Sequence, residues 1–190
     1  YLLDEEEEGA RLSDDELLAM LFLLIMAGFE TTTHMIANGV LALLQHPDQL
    51  ARLRAEPALI DSAVEEMLRF CGPVHGSKQA YATEDIVLHG VRIPKGAPVI
   101  PLWGAANHDP DAFEQPERFD IGRNPNHHLA FGHGSHFCLG AQLARMEVRI
   151  AVQTLLERNP RLRLAVDPAD LRLQRMPFWH RYEAIPIELG

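Results

Sequence analysis

The sequence predicts an α+β fold that is mainly helical, with a small segregated β-sheet. Three observations support this prediction: a long helical pattern in residues 13–70, short β-like runs with turn signals in residues 81–100, and a second apolar-faced helical stretch in residues 141–156. The chain has 190 residues, of which 47% are hydrophobic, so it is long and apolar enough for one globular domain with a sizeable core.

The first helix has clear start and stop signals. Ser13 and Glu16 have the spacing of a capping box, with Ser13 as N-cap and Glu16 at the third helical position. The helix is expected to run from Asp14 to about Gln45, where His46-Pro47 ends it. Its first half is apolar nearly all round, which predicts burial on most sides. Two shorter helices are expected next, at Pro47 to Ala55 and at Pro57 to Phe70.

The following region has the composition of strands and turns. Ile86-Val87-Leu88 and Val91-Arg92-Ile93 flank the turn residues His89-Gly90, which predicts a β-hairpin. Residues 107–126 are rich in Asp, Pro and Asn and are expected to be irregular surface chain. Short apolar runs separated by turns in Leu162 to Gly190 predict further strands.

Charge and composition argue against several classes of partner. The net charge of −10 disfavours binding to nucleic acid or to an anionic membrane. The apolar run from Leu17 to Phe29 is expected to be too short to span a bilayer, and no signal-peptide pattern precedes it. Two cysteines, Cys71 and Cys138, provide no disulfide framework, so a cytoplasmic location is expected. Residues 1–11 are expected to form an acidic linker or loop.

The ten residues from Phe131 to Gly140 carry the most specific signal. Cys138 lies in a loop of small residues directly before the helical stretch that starts at Ala141. Backbone N–H groups and the positive end of that helix would stabilise a thiolate there. Such a sulfur suits a soft or borderline metal, haem iron being one candidate. A buried, inert thiol is the alternative for any single cysteine.

A second unusual segment, residues 27–33 (Ala-Gly-Phe-Glu-Thr-Thr-Thr), lies at the centre of the long helix. Glycine inside a helix costs about 1 kcal/mol, and threonine hydroxyls can bond back to the carbonyl four residues earlier and bend the helix. An acid beside a hydroxyl at such a weakened turn, as in Glu30-Thr31, suggests a site of proton delivery. A kink that accommodates a neighbouring helix is the alternative.

Both segments resemble those of one known family. The pattern Phe-x-x-Gly-x-x-x-Cys-x-Gly in residues 131–140 resembles the haem-binding loop of the cytochrome P-450 family, and residues 27–33 resemble that family's oxygen-binding helix. The resemblance covers Leu12 to Gly190 but corresponds to only the C-terminal half of a usual member. It therefore implies a single partial domain, residues 1–190, whose N-terminal half is missing.

The resemblance implies a haem b cofactor. Cys138 would be the axial ligand of the iron, within a loop that includes Phe131, Gly132 and Gly140. His136 matches the position that commonly binds a haem propionate. Lys78 is the best substitute for the arginine that usually binds the other propionate, although it lacks the bidentate fork of arginine.

The resemblance also gives roles to the helix centre. Ala27 and Gly28 match the small pair that leaves room for oxygen. Glu30 and Thr31 match the acid–alcohol pair that delivers protons during oxygen activation. The substrate pocket implied by the family includes Met26, Phe29, Val74, His75 and Phe178.

Three charged residues form a further expected constellation. Glu66 and Arg69 are three residues apart on one helical face, and alone they could be a solvated surface pair. They match the family's Glu-x-x-Arg motif, and Pro116-Glu117-Arg118-Phe119 supplies Arg118 as the expected third member. The resemblance implies a buried ion network that locks the irregular segment before the cysteine loop.

The implied activity is that of a haem-thiolate monooxygenase, which inserts one oxygen atom of dioxygen into an apolar organic substrate. The implied electron donor is a ferredoxin or flavodoxin. Two alternatives stay open: a peroxide-driven peroxygenase and a non-catalytic haem- or metal-binding module. In the second, zinc would be held by residues from the cluster of His127, His128, His133, His136 and Cys138.

Overall fold

The computed structural model describes residues 12–76 and 79–189. The predicted acidic linker at residues 1–11 lies outside the described residues. The helices are α1 (Asp14–Gln45), α2 (Pro47–Ala55), α3 (Ile60–Cys71), α4 (Trp103–Ala106) and α5 (Ala141–Arg158). The strands are β1 (Ala80–Tyr81), β2 (Ile86–Leu88), β3 (Val91–Ile93), β4 (Pro98–Val99), β5 (Arg163–Leu164) and β6 (Ile187–Glu188). Single 3₁₀ turns lie at Pro57–Leu59, Gly134–His136 and Pro168–Asp170.

The ends of α1 confirm the sequence prediction. The Ser13 hydroxyl accepts a hydrogen bond from the Glu16 N–H at 3.3 Å, and the Glu16 carboxylate accepts one from the Ser13 N–H at 2.9 Å. This reciprocal capping box satisfies two N–H groups at the helix start. At the other end, His46 closes α1 and the chain turns at once into α2. The predicted third helix is a 3₁₀ turn followed by α3.

The core lies where the second half of α1 packs against α3 and α5. These contacts bury the apolar faces of all three helices, and residues from the irregular segment before the cysteine loop close one side. The most deeply buried apolar side chains include Leu43, Val64, Met67, Phe119, Ile121, Val148 and Val152.

The first half of α1 is exposed, so the prediction that it is buried on most sides is wrong. Phe29 is 74% exposed and Phe22 68%, although both are large and apolar. The reason is that α3 and α5 pack on α1 only beyond its middle, and no other described element covers the earlier turns. By length and hydropathy alone α1 could cross a bilayer, whereas its apolar run was expected to be too short; the core helix of a soluble protein meets the same two measures.

The β structure consists of three separate two-stranded antiparallel ladders in the described residues, whereas the sequence predicted one small sheet. The predicted hairpin is present, with Ile86 opposite Ile93 in the β2–β3 ladder. The strand β1 pairs with β4, and β5 pairs with β6. An isolated bridge between Val74 and Trp179 ties the C-terminal segment to the chain that follows α3.

Candidate functional site

The cysteine loop is a tight turn that presents Cys138 to solvent. The Cys138 N–H donates to the Phe131 carbonyl at 3.0 Å and closes the loop. Gly132 and Gly134 have φ of 72° and 81°, in the left-handed region that glycine adopts without steric strain. The Cys138 side chain is free and exposed at the end of this loop.

The start of α5 favours a negative charge on this sulfur. Gly140 is its N-cap, so no side chain caps the helix, and its first turn contains no acidic residue. The N–H groups and the positive end of the helix dipole are therefore not neutralised by the helix itself. Cys138 lies two residues before this N-cap.

Cys71 has the opposite environment. It is buried at the end of α3, and its thiol donates to the Met67 carbonyl at 3.2 Å. Burial raises the pKa of the Cys71 thiol, and the neighbouring Glu66 carboxylate raises it further. Cys71 is thus a neutral core thiol, and Cys138 alone of the two can serve as a thiolate ligand.

The central turn of α1 has the predicted back-bonded threonines. The Thr31 hydroxyl donates to the Ala27 carbonyl at 2.5 Å, and the Thr33 hydroxyl donates to the Phe29 carbonyl at 2.7 Å. The helix is nevertheless continuous through this turn. A Cβ placed on Gly28 would have no atom within 4 Å, so open space adjoins the helix at that residue.

Glu30 has a partner that the sequence analysis missed. Its carboxylate pairs with the guanidinium of Arg181, whose side chain is only 12% exposed. The same guanidinium lies 5.2 Å from the centre of the Trp179 ring, a cation–π contact. Because 151 positions separate Glu30 and Arg181, no local sequence signal connects them.

The C-terminal segment that supplies Arg181 also gathers three of the five predicted pocket residues. Val74 pairs with Trp179 in the isolated bridge, and the His75 N–H donates to the Phe178 carbonyl at 2.8 Å. The other two predicted pocket residues, Met26 and Phe29, lie on the exposed half of α1.

Two histidines near the predicted pocket residue His75, His108 and His180, were missed. The rings of His75 and His180 stack at 4.9 Å with an interplanar angle of 17°. Burial, together with the nearby His75 and His108, lowers the pKa of His180 to about 4. His180 is therefore neutral at pH 7.

The two residues predicted to bind the haem propionates are His136 and Lys78. His136 ends the 3₁₀ turn of the cysteine loop and is exposed. Lys78 lies outside the described residues. In residues 12–76 and 79–189, no three His, Cys, Asp or Glu side chains are grouped so that they could hold a metal ion. The zinc alternative therefore lacks a ligand cluster there.

The predicted ion network is present and fully buried at its centre. The exposed fractions of Glu66 and Arg69 are 0% and 1%. Two hydrogen bonds of 2.8 Å join the Arg69 guanidinium to the Glu66 carboxylate. Arg69 also donates to the carbonyls of Asn107 and Pro116, at 2.7 and 2.9 Å. The network thus fixes the irregular segment onto α3.

The third member of the network is Arg123, so the prediction of Arg118 is wrong. Arg123 Nε donates to the Glu66 carboxylate at 3.1 Å. The Arg118 side chain is 59% exposed and reaches Asp120, at 3.9 Å, and Gln115 Oε1, at 3.5 Å, but not Glu66. What Arg118 contributes is its carbonyl, which accepts from Arg69 and from Arg123. The turn before Arg118 aims its backbone inward and its guanidinium toward solvent.

Comparison with known proteins matches these features to one family. The family model for cytochrome P450 matches residues 1–170. The cytochrome P450 monooxygenase PikC of Streptomyces venezuelae is 50% identical over 182 residues, which are 96% of this chain and 44% of PikC. The solved structure of the bacillaene polyketide synthase cytochrome P450 PksS of Bacillus subtilis has a TM-score of 0.93 and 44% identity, covering 100% of this chain and 49% of PksS.

A third similar structure is P450BioI in complex with an acyl carrier protein that carries hexadec-9Z-enoic acid. Its TM-score is 0.90 at 46% identity, and the match covers 96% of this chain and 47% of that one. The chain therefore spans about half the length of the relatives it matches. Members of the family bind haem b. The match of fold and sequence over nearly all of these 190 residues shows that the chain belongs to the cytochrome P450 family.

Proposed function

We propose that this chain is the haem-binding part of a haem-thiolate monooxygenase that oxidises an apolar organic substrate. The single observation that carries the proposal is the contrast between the two cysteines. Cys138 is exposed before an uncapped helix start, whereas Cys71 is a buried hydrogen-bonded thiol. In such an enzyme the bound haem supplies the oxidising chemistry, and the protein supplies the axial thiolate, the proton path and the pocket.

The donors and open spaces of the chain fit a haem. A thiolate at Cys138 is the axial ligand of this enzyme class, and the space beside Gly28 is free of protein atoms within 4 Å of a built Cβ. Apolar surface that a porphyrin could cover is present near the sulfur, where Phe137 and Leu139 are exposed. His136 and Lys78 would bind the propionates, since each can carry positive charge opposite a carboxylate.

Glu30 and Thr31 would handle protons. The Thr31 hydroxyl already donates its hydrogen to the Ala27 carbonyl, which leaves its oxygen lone pairs free to accept a proton donor such as water. The Glu30 carboxylate is held by Arg181 at the edge of the same turn. A carboxylate that can exchange one partner for another is suited to passing protons from solvent to the hydroxyl. This pair favours dioxygen over peroxide as the oxidant.

The exposed half of α1 points to a second part of the protein. Large apolar side chains such as Phe22, Ile25 and Phe29 are more than half exposed there, which is unusual for a folded surface. We infer that further polypeptide covers them, as the N-terminal half of the same fold would. It would also complete the substrate pocket that Met26, Phe29, Val74, His75 and Phe178 begin.

The substrate class and the electron donor follow from the same proposal. A pocket bordered by Met26, Phe29 and Phe178 is apolar and suits an apolar organic molecule. The electron donor would be a small ferredoxin or flavodoxin, and the complete protein would work in the cytoplasm. PksS is named for a bacillaene polyketide synthase, whereas P450BioI was solved with an acyl carrier protein that carries hexadec-9Z-enoic acid, so these relatives do not single out one substrate.

The ferrous carbon monoxide spectrum of the complete haem-loaded protein tests the thiolate assignment. Cys138→Ser should abolish the thiolate-type spectrum, because a hydroxyl cannot replace the charged sulfur. Cys71→Ser is the matched control and should keep it, with some loss of stability from the buried site. Loss of the spectrum in the Cys71 variant and its retention in the Cys138 variant would overturn the proposal.

A further inference from the structure

Glu65 binds two residues on either side of the cysteine loop, His128 before it and Arg145 after it, whereas its neighbour Glu66 holds the buried ion network. The Glu65 carboxylate accepts two hydrogen bonds from Arg145 of α5, Nε to Oε1 at 2.6 Å and Nη2 to Oε2 at 2.9 Å. It accepts a third from His128 Nε2 at 3.0 Å. One carboxylate of α3 thus joins α5 to the chain that enters the cysteine loop.

Arg145 carries this connection to the loop itself. Its guanidinium carbon lies 4.6 Å from the centre of the Phe131 ring, within cation–π range. The Phe131 carbonyl accepts the hydrogen bond of the Cys138 N–H. The contacts therefore run without a gap from Glu65 through Arg145 and Phe131 to the backbone of the cysteine.

His128 holds the other side of the same carboxylate in a fixed tautomer. The Ala130 N–H donates to His128 Nδ1 at 3.2 Å, so Nδ1 must be the acceptor nitrogen and Nε2 carries the hydrogen. That hydrogen points to Glu65. Arg145 supplies the permanent cation among the hydrogen-bonding partners of Glu65.

The Glu65 carboxylate is ionised throughout the physiological range. Burial by itself would raise the pKa of Glu65, but the hydrogen bonds from His128 and Arg145 outweigh it and lower the pKa to about 2. Glu65 and Arg145 therefore compensate each other's charge. Two opposite unit charges in contact cancel most of each other's field, so losing either one changes the local potential.

We propose that Glu65 and Arg145 are positioning residues that set the reduction potential of the haem, by fixing Phe131 and by cancelling each other's charge beside the Cys138 loop. The proposal rests on the proposed function, in which Cys138 is the axial ligand. Groups outside the ligand shell tune a metal centre through hydrogen bonds and local charge. Here that control passes from α3 to the loop through one ion pair.

The test is the reduction potential of the complete haem-loaded protein, measured for the wild type and three variants. Glu65→Gln leaves the Arg145 cation uncompensated, which favours the electron-richer reduced haem and should raise the potential. Arg145→Met leaves the Glu65 anion uncompensated and should lower it. The double variant should return most of the way to the wild-type value. If the ion pair only maintained the fold, both single variants would shift the reduction potential in the same direction.

The chain offers a matched control pair between the same two helices. Arg149 of α5 lies 3.8 Å from Asp61 of α3, and their side chains are 44% and 79% exposed. The cation–π contact to Phe131 comes from Arg145 and not from Arg149. Asp61→Asn and Arg149→Met should shift the potential much less, because solvent and salt screen exposed charges. If Arg145→Met fails to load haem, Arg145→Gln removes the same charge and should give the same downward shift.

The carbon monoxide spectrum separates failure of this inference from failure of the proposed function. Thiolate-type spectra with potential shifts of the same sign in both single variants would overturn the inference alone. Equal shifts in the Asp61 and Arg149 controls would do so as well. A wild-type protein without the thiolate-type spectrum would overturn the proposed function and this inference with it.

Discussion

Two regions of the molecule differ in whether their polar groups already have partners. In the ion network, the Glu66 carboxylate accepts hydrogen bonds from Arg69, Arg123, Asn126 and the Asp120 N–H, all within the described chain. By contrast, the Cys138 thiol is free and exposed at the end of its loop, and open space lies beside Gly28. The network satisfies the Glu66 carboxylate from within the chain, although the buried Asn126 Oδ1 has no hydrogen-bond partner among the described residues, whereas the cysteine loop presents its thiol to solvent.

The ion network stabilises the fold, whereas the cysteine loop carries the candidate ligand. A buried carboxylate that loses its cation is strongly destabilising, so Glu66 needs its guanidinium partners in place. A site that binds a cofactor must keep its groups unpaired until the cofactor arrives. Glu65 links the two regions, since it belongs to α3 and binds Arg145, whose guanidinium contacts Phe131 of the cysteine loop.

The largest expected loss of stability comes from breaking the Glu66 ion network. Arg69→Met in the complete protein would leave the buried Glu66 carboxylate with one guanidinium instead of two, and should cost about 3–5 kcal/mol of the free energy of unfolding. Arg123→Met should also destabilise the protein, by less, because its side chain is at the edge of the network and is 10% exposed. Denaturant-induced unfolding measures both values.

Arg118→Gln is the matched control for this prediction. The Arg118 guanidinium is 59% exposed and its nearest carboxylate is 3.9 Å away, so its loss should change the free energy of unfolding by no more than about 0.5 kcal/mol. A loss as large as that of Arg69→Met would restore Arg118 as the third member of the network and contradict the contacts seen at Arg123.

The same region shows what the sequence could and could not predict. The ends of α1 were predictable because capping and helix termination depend on residues within a few positions, here Ser13, Glu16 and Pro47. The choice between Arg118 and Arg123 was not, because both lie in irregular chain where no periodicity fixes the direction of a side chain. Their environments depend on turns that pack against α2 and α3 in the folded chain.

The chemical region follows the same rule. Cys138 and its loop glycines were predictable because the loop is formed by ten consecutive residues. Gly132 and Gly134 adopt the positive φ that other residues rarely adopt, and the cysteine is a metal-ligand type. The partner of Glu30 was not, since Arg181 comes from the C-terminal segment and is joined to α1 only in the folded protein. The exposure of α1 was mispredicted because an apolar helix surface indicates that it packs against other polypeptide. The helix pattern does not show whether residues of this chain form that contact.

A smaller effect is expected from pH at the stacked histidines. The pKa of His180 is about 4 in the folded protein, against about 6.5 when unfolded. Between these values the unfolded chain binds a proton that the folded chain does not, so stability should fall as the pH falls from about 6.5 to about 4. His180 is half-buried and partly screened, so its contribution should be on the order of 1 kcal/mol.

Unfolding measured as a function of pH tests this assignment. His180→Gln should flatten the slope between about pH 6.5 and 4, although some slope remains because burial also lowers the pKa of His75. His133→Gln is the control, since His133 is exposed in the cysteine loop and should leave the slope unchanged. An unaltered slope in His180→Gln would assign the acid sensitivity to other groups.

The smallest effect on stability, and the sharpest on chemistry, is expected at Thr31. Its hydroxyl bonds back to a carbonyl of its own helix, an interaction that adds little to helix stability, so Thr31→Ala should change the free energy of unfolding by about 0.5 kcal/mol or less. In the complete enzyme, Thr31→Ala should release more peroxide per product formed, because an ordered proton donor is lost.

Thr33 makes the same back-bond on the same helix, at 2.7 Å to the Phe29 carbonyl. Thr33→Ala should therefore match Thr31→Ala in stability and leave the ratio of peroxide to product unchanged. Equal ratios in the two variants would remove Thr31 from the proton path and leave both threonines as features of the helix alone.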